Sequence, residues 1–239
     1  MRPTLTHSPM AKDTKDNDFQ LIDVEEAYSR TEQFMDKNRK PLLIGISSVA
    51  GVFLLVLAYQ GFVVRPAEAA AEAAIWRAEA YFEMDSLDLA AYGDGFSDGL
   101  ETVMTEHAGT KAGQRAAYRM GVYHRSKGAW DEAIAAFSEV DFDDDVVGPL
   151  AVAGIGDCQV ELQQFDEAIA SFEDAVGRSE DGLAADALAP MFLMKSAIVK
   201  LETGDTEGAL ADFTRIAEDY ASSQQATLAK GYAASLSAQ

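Results

Sequence analysis

The sequence predicts an all-α protein, with a single N-terminal transmembrane helix followed by a solenoid of stacked helical hairpins. Three observations predict it. Leu42 to Val64 is a run of 23 residues without a charge. An eight-residue pattern recurs three times in the C-terminal half. Elsewhere the apolar residues fall at helical spacing, and we expect nine or ten helices and no strand.

Residues 1–18 are polar and carry Pro3 and Pro9, the composition of a disordered tail. Residues 19–40 place Leu21, Val24, Tyr28, Phe34 and Met35 on one side of a helix, which predicts an amphipathic juxtamembrane segment. Either it docks on a membrane partner, or it extends the span among lipid headgroups.

Residues 41–64 form the predicted span, since about 20 apolar residues suffice to cross the hydrocarbon layer. Arg30, Lys37, Arg39 and Lys40 precede it closely, while Arg65 and Arg77 are the near cations behind it. The positive-inside rule then puts the N-terminus in the cytoplasm and the bulk of the chain outside, the periplasm of a bacterium with this layout. A cleaved signal peptide competes with this reading, because AEAAAEAA follows Pro66. Its core would exceed the roughly 7–15 apolar residues of such signals. Pro66 is expected to end the helix. Within the span, Gly45, Ser47, Ser48 and Gly51 are small, and Ser47 with Gly51 makes a small-x-x-x-small pair suited to contact with another membrane helix. A channel subunit or a second copy of the chain would fit there.

Behind the span, residues 66–111 read as a degenerate first hairpin: an alanine-rich helix over Ala67–Asp85, a break at Tyr92–Phe96, and a helix over Phe96–His107. Residues 112–221 hold the repeats. Trp130-Asp-Glu-Ala-Ile-Ala-Ala-Phe137, Phe165-Asp-Glu-Ala-Ile-Ala-Ser-Phe172 and Thr206-Glu-Gly-Ala-Leu-Ala-Asp-Phe213 align with one another. Each follows a helical block with a small residue at a matching place, Gly121, Gly156 and Ala197, and a turn at Lys127-Gly128, Gln163-Gln164 or Thr203-Gly204-Asp205. Small residues let two helices approach closely, and the phenylalanines fill the wedge between hairpins. Such units bury their apolar faces only by stacking. Residues 222–239 are expected to be a terminal capping helix.

This order of small residue, turn, aromatic, alanine and phenylalanine resembles the tetratricopeptide repeat over about residues 112–220. The first helices depart from that pattern, with Ala117, Val152 and Leu193 where a tryptophan is often found. The whole layout further resembles the bacterial YfgM-like tetratricopeptide proteins, ancillary subunits of the SecYEG translocon. Glu26-Ala-Tyr-Ser-Arg-Thr-Glu-Gln-Phe34, Gly93-Asp-Gly95 and Gly109-Thr-Lys-Ala112 look like the version in Bacteroidota-type bacteria. The resemblance implies a chaperone-like or scaffolding role beside the export channel, with SecYEG-type subunits and exported polypeptides as partners. An envelope-organising module for division or cell-wall synthesis is the alternative.

Charge narrows the field. Nineteen Lys and Arg stand against 40 Asp and Glu, a formal net charge of −21. Residues 1–40 hold 7 basic and 8 acidic side chains, leaving 12 and 32 for residues 65–239. Nucleic acid, which needs clustered cations, is excluded as a partner. Asp141–Asp145 opens like a calcium loop but has Val146 and Val152 where Gly and Glu are needed, so no metal is expected. His107 and His124 stand in no catalytic motif, and Cys158 has no cation beside it in sequence. We expect no enzyme activity and no cofactor.

In stacked hairpins the first helices line the concave side. The register set by the alanines and phenylalanines places Arg115, Tyr118, Val122 and Arg125 there from the first unit. Leu150, Ala153, Asp157 and Glu161 come from the second, and Met191, Met194, Ile198 and Glu202 from the third. Leu150, Met191 and Met194 equally suit a packed core.

Overall fold

A computed structural model describes residues 24–142 and 144–238, with the backbone alone for residues 24–34 and 36. Among these residues there are helices and no strand. The tail at 1–18 and the start of the amphipathic segment lie outside the described residues, as do the side chains of Val24, Tyr28 and Phe34. The chain divides into two compact units, residues 1–58 and 59–239.

The first unit is occupied by α1, which runs Val24–Tyr59 and contains Pro41. From Leu42 onward its side chains are exposed. Among the described residues, one helical stretch, Lys37–Glu83, is long and apolar enough to cross a membrane. Pro66 does not end the helix. A π-helical turn occupies Gln60–Val64, and α2, Arg65–Glu83, continues from it with Pro66 in its first turn.

In the second unit the segment behind the span holds three helices where two were expected. After α2 come α3, Leu87–Tyr92, and α4, Leu100–Glu106. A turn at Met84–Ser86, with Asp85 at φ 57°, separates α2 from α3. Ala90 and Ala91 of α3 are buried in one cluster with Ile75 of α2. The last helix begins at Leu100, not Phe96, because Asp94 reorganises the loop. Its Oδ1 accepts the backbone N–H groups of Phe96 and Ser97, each at 2.9 Å, and Oδ2 accepts the Tyr81 hydroxyl at 2.8 Å. Those bonds hold the Asp94 carboxyl far below the usual carboxylate range.

Three hairpins follow: α5, Lys111–Ser126, with α6, Trp130–Ser138; α7, Val147–Glu161, with α8, Phe165–Ser179; and α9, Ala185–Thr203, with α10, Thr206–Asp219. Successive helices pack on one another, and α5 reaches α7. The turns repeat one conformation. Gly128, Gln163 and Gly204 all have positive φ, 71°, 60° and 86°. Starts differ: Thr110 caps α5 by accepting from Gly113 N–H at 3.0 Å, and Asp205 caps α10 through Gly208 N–H at 2.9 Å. In the acidic connector, Asp144 Oδ1 accepts from Val146 and Val147 N–H, at 2.9 and 2.6 Å. That carboxylate organises the entry to α7.

Phe137, Phe172 and Phe213, one per hairpin, are each almost wholly removed from solvent. The Phe137 ring is seated between Gly121 and Gly154, and the Phe172 ring lies against Gly156. Two clusters carry these rings: Phe172, Phe192, Leu193, Phe213 and Ile216 in one, Phe137, Val140, Ala151 and Cys158 in the other. The last helix, α11, spans Ala226–Ser237 and packs on α10. It begins later than residue 222, after a turn at Tyr220–Ser223.

Candidate functional site

The first helices of the three hairpins, α5, α7 and α9, border an open recess of about 480 Å³. Its polar margin is a chain of three charges. Asp157, in the C-terminal third of α7, accepts from Arg125 Nη1 of α5 at 2.8 Å through Oδ2, and from Lys195 Nζ of α9 through Oδ1. One carboxylate thus ties together residues 32 and 38 positions away. Both cations also lie over aromatic rings: the Arg125 guanidinium is 6.0 Å from the Phe137 centroid, and Lys195 Nζ is 5.6 Å from that of Phe172. Trp130, Val160, Ile198 and Val199 supply the apolar wall, and Glu161 an exposed carboxylate at the rim. The recess therefore offers apolar surface beside one carboxylate shared by two cations.

Four of the residues expected on the concave side, Arg125, Asp157, Glu161 and Ile198, meet in this recess. Others are engaged elsewhere. Arg115 grips α2, with Nη1 and Nη2 at 3.0 and 2.9 Å from the Glu72 carboxylate and Nε 3.2 Å from Glu79. The hydrogen bonds to Glu72 lead in raising the pKa of its guanidinium, against the cost of burial. Tyr118 rests on Phe137, ring centroids 5.7 Å apart, and burial raises the pKa of its hydroxyl. Val122 packs beside Phe137, and Leu150 and Met191 pack against the Phe172 cluster. Ala153 is buried, and Met194 is only 8% exposed, inside the core.

On α9 Lys195 reaches the recess with Ile198 and Val199, one position beyond the expected Met194. Spacing of four, three and four residues through Met191, Lys195, Ile198 and Glu202 was the signal in the sequence that locates it. Trp130 and Phe172, at the two ends of the repeated eight-residue pattern, line the recess as well, as do Val160 and Val199. A first-helix register does not point to Trp130 and Phe172, which lie on second helices, while Val160 and Val199 lie one residue away from the stripe it selects.

In the first unit, Gly45 borders a shallow apolar depression on α1 with Pro41, Leu42, Ile46, Val49 and Phe53. Ser47 lies about 160° from Gly45 around the helix. Ser48 Oγ donates to the carbonyl of Ile44 at 2.8 Å, within its own helix. A Cβ on Gly45 or on Gly51 would meet nothing within 4 Å.

No group of three or more His, Cys, Asp or Glu able to hold a metal ion occurs among the described residues. His124 stacks edge-on against Tyr123, centroids 5.4 Å apart. Burial pushes the Cys158 thiol up to about 11, away from the thiolate that chemistry would need.

Residues 192–223 match the family model of the tetratricopeptide repeat. No curated protein matches the chain, and no solved structure does. The matched stretch runs from α9 through α10, the third hairpin, and contains Ala197, Gly204, Ala209 and Phe213. The protein is an all-α chain that carries a tetratricopeptide repeat within its stack of helical hairpins.

Proposed function

We propose that this protein is a membrane-anchored, non-catalytic scaffold that holds an extended or partly folded segment of a partner protein in the recess between α5, α7 and α9. The recess is the observation that carries the reading. Repeats of this type present protein-binding surfaces on their first helices, and here α7 and α9 leave Val160 and Ile198 available, with Trp130 of α6 beside them, next to a carboxylate shared by two cations. A segment with apolar side chains and few carboxylates suits it, since the surrounding domain is strongly acidic.

The anchor is the apolar stretch within Lys37–Glu83. Lys37, Arg39 and Lys40 on its N-terminal side favour a cytoplasmic N-terminus and a periplasmic second unit in the inner membrane of a bacterium. Order of elements and short loops, similar to the ancillary translocon subunits, favour a post beside a SecYEG-type channel, with channel subunits and emerging polypeptides as partners.

A photo-crosslinking residue at Ile198, in the full chain in native membranes, tests the reading. Channel subunits or secreted polypeptides should be captured there and not from Glu207, an exposed residue on α10. Cell-wall synthases or division proteins captured instead would establish an envelope-organising module. Equal capture at both positions would defeat the assignment of the recess.

A further inference from the structure

The recess lies toward the C-terminal ends of the three helices that border it. Arg125 is the second-last residue of α5, Val160 and Glu161 are the last two of α7, and Ile198 and Val199 stand in the last two turns of α9. Each of those ends carries the negative pole of its helix.

The lining sets two cations, Arg125 and Lys195, against two carboxylates, Asp157 and Glu161. Three of the four are engaged: Arg125 and Lys195 are both bound to Asp157, and both lie over rings. Glu161 is exposed, and no hydrogen bond or ion pair holds it among the described residues. Glu202, one turn beyond Ile198 on α9, is exposed and unheld in the same way. A carboxylate that ends a helix adds like charge to the negative pole, so a cation placed on Glu161 is favoured twice.

The wider field has the same sign. Residues 65–239 carry 32 acidic and 12 basic side chains, which draws a cation toward the recess and repels a carboxylate. Arg125 and Lys195 leave one positive charge over beside Asp157, and Glu161 offsets it within the lining, so nothing local reverses that field. Apolar surface stands next to the free carboxylate, at Val160, Trp130 and Ile198. A lysine or arginine stem can lie along such a wall with its charged head at the mouth, and an aromatic ring adds to its hold.

Building on the recess as the place of capture, we infer that the partner segment carries an arginine or lysine among apolar residues, its stem on the apolar wall and its head paired with Glu161. Glu202 adds to the attraction from α9.

Three synthetic peptides test this, acetylated and amidated so that their ends are neutral. They share one run of leucines and serines and differ at one central residue: arginine, its uncharged isostere citrulline, or glutamate. Binding to the full chain in non-ionic detergent is read by fluorescence anisotropy. The arginine peptide should bind about threefold to tenfold more tightly than the citrulline peptide at low salt, and the glutamate peptide should bind least. Glu161→Gln, which keeps the shape and removes the charge, should bring the arginine and citrulline peptides to within about twofold of each other. Ile198→Ser should weaken all three. Arginine and citrulline peptides of equal affinity, both weakened by Ile198→Ser, would overturn the cation and leave the recess standing. An arginine preference that survives Glu161→Gln would overturn the pairing. A glutamate peptide that binds tightest would give the recess to Arg125 and Lys195 as an anion site, and likewise overturn it. Peptides indifferent to Ile198→Ser, or an arginine peptide that does not bind, would remove the recess itself and this inference with it.

Discussion

A Cβ on Gly121 would stand 2.5 Å from Cδ1 of Phe137, so the ring occupies the place a methyl group would take. From the opposite side, Gly154 would put its Cβ 2.8 Å from Cε2 of the same ring. Helix propensity argues against glycine mid-helix by roughly 0.5–1 kcal/mol, and here close packing outweighs it. Gly121→Ala should therefore lower stability by about 1–3 kcal/mol, the usual cost of overpacking. At Gly231, where the space is open, the same replacement should raise it by roughly 0.5–1 kcal/mol. Denaturant titration of both variants checks the contrast, and equal effects would mean that the ring gives way.

Met194 and Ile198 lie one turn apart on α9 but face different surroundings. Met194 is 8% exposed and Ile198 47%. Met194→Ser should cost about 2–5 kcal/mol through the cavity it leaves. Ile198→Ser should stay within about 1 kcal/mol of the parent. Only the second should abolish partner capture without moving the melting curve. Thermal unfolding with capture from native membranes separates the two.

Gln163 holds a left-handed conformation, φ 60°, at the turn where the other two hairpins have Gly128 and Gly204. A side chain pays roughly 1–2 kcal/mol there that glycine does not. Gln163→Gly should stabilise the second hairpin by up to about 1 kcal/mol, after the extra freedom of glycine in the unfolded chain is subtracted. Unchanged or lower stability in denaturant would show that the Gln163 side chain has a compensating contact.

Lys200 is buried at the edge of the Phe213 cluster, where Nζ meets Asp212 at 2.9 Å and Glu173 at 2.8 Å. Burial disfavours its charge, but the two carboxylates outweigh burial and raise its pKa above the ordinary 10.5. A pKa raised on folding means that the ion pairs contribute fully below 10.5 and lose their effect as pH climbs through the higher folded value. Lys200→Met should lose about 1–3 kcal/mol near neutral pH, less than a fully buried pair because Glu173 is half exposed. On the alkaline side the gap between parent and variant should narrow above the ordinary lysine pKa. A gap that instead closes in mild acid would mean that a carboxylate governs it.

Much of the architecture was legible in local pattern. A step of nine positions, from Gly121 to Trp130, from Gly156 to Phe165 and from Ala197 to Thr206, defines each hairpin, because a small residue on one helix and the phenylalanine of the next must meet across a short turn. The charge-free stretch from Leu42 likewise shows its apolar helix without reference to any neighbour. What the sequence by itself determined, then, is that the chain is helical, which pairs of helices within residues 112–221 fold back on each other, and how charge is divided along the chain. The tertiary structure decided which side chains remain available. Asp94 held residues 96–99 out of the expected helix with bonds to Tyr81, Phe96 and Ser97. Arg115 was committed to Glu72, 43 positions away, and Asp157 joined Arg125 to Lys195. Periodicity along one helix states which residues share a face, but not the angle at which the next helix arrives. That angle follows from the packing of Phe137 and Phe172 against their glycines, and it alone puts Lys195 in the recess and Met194 in the core.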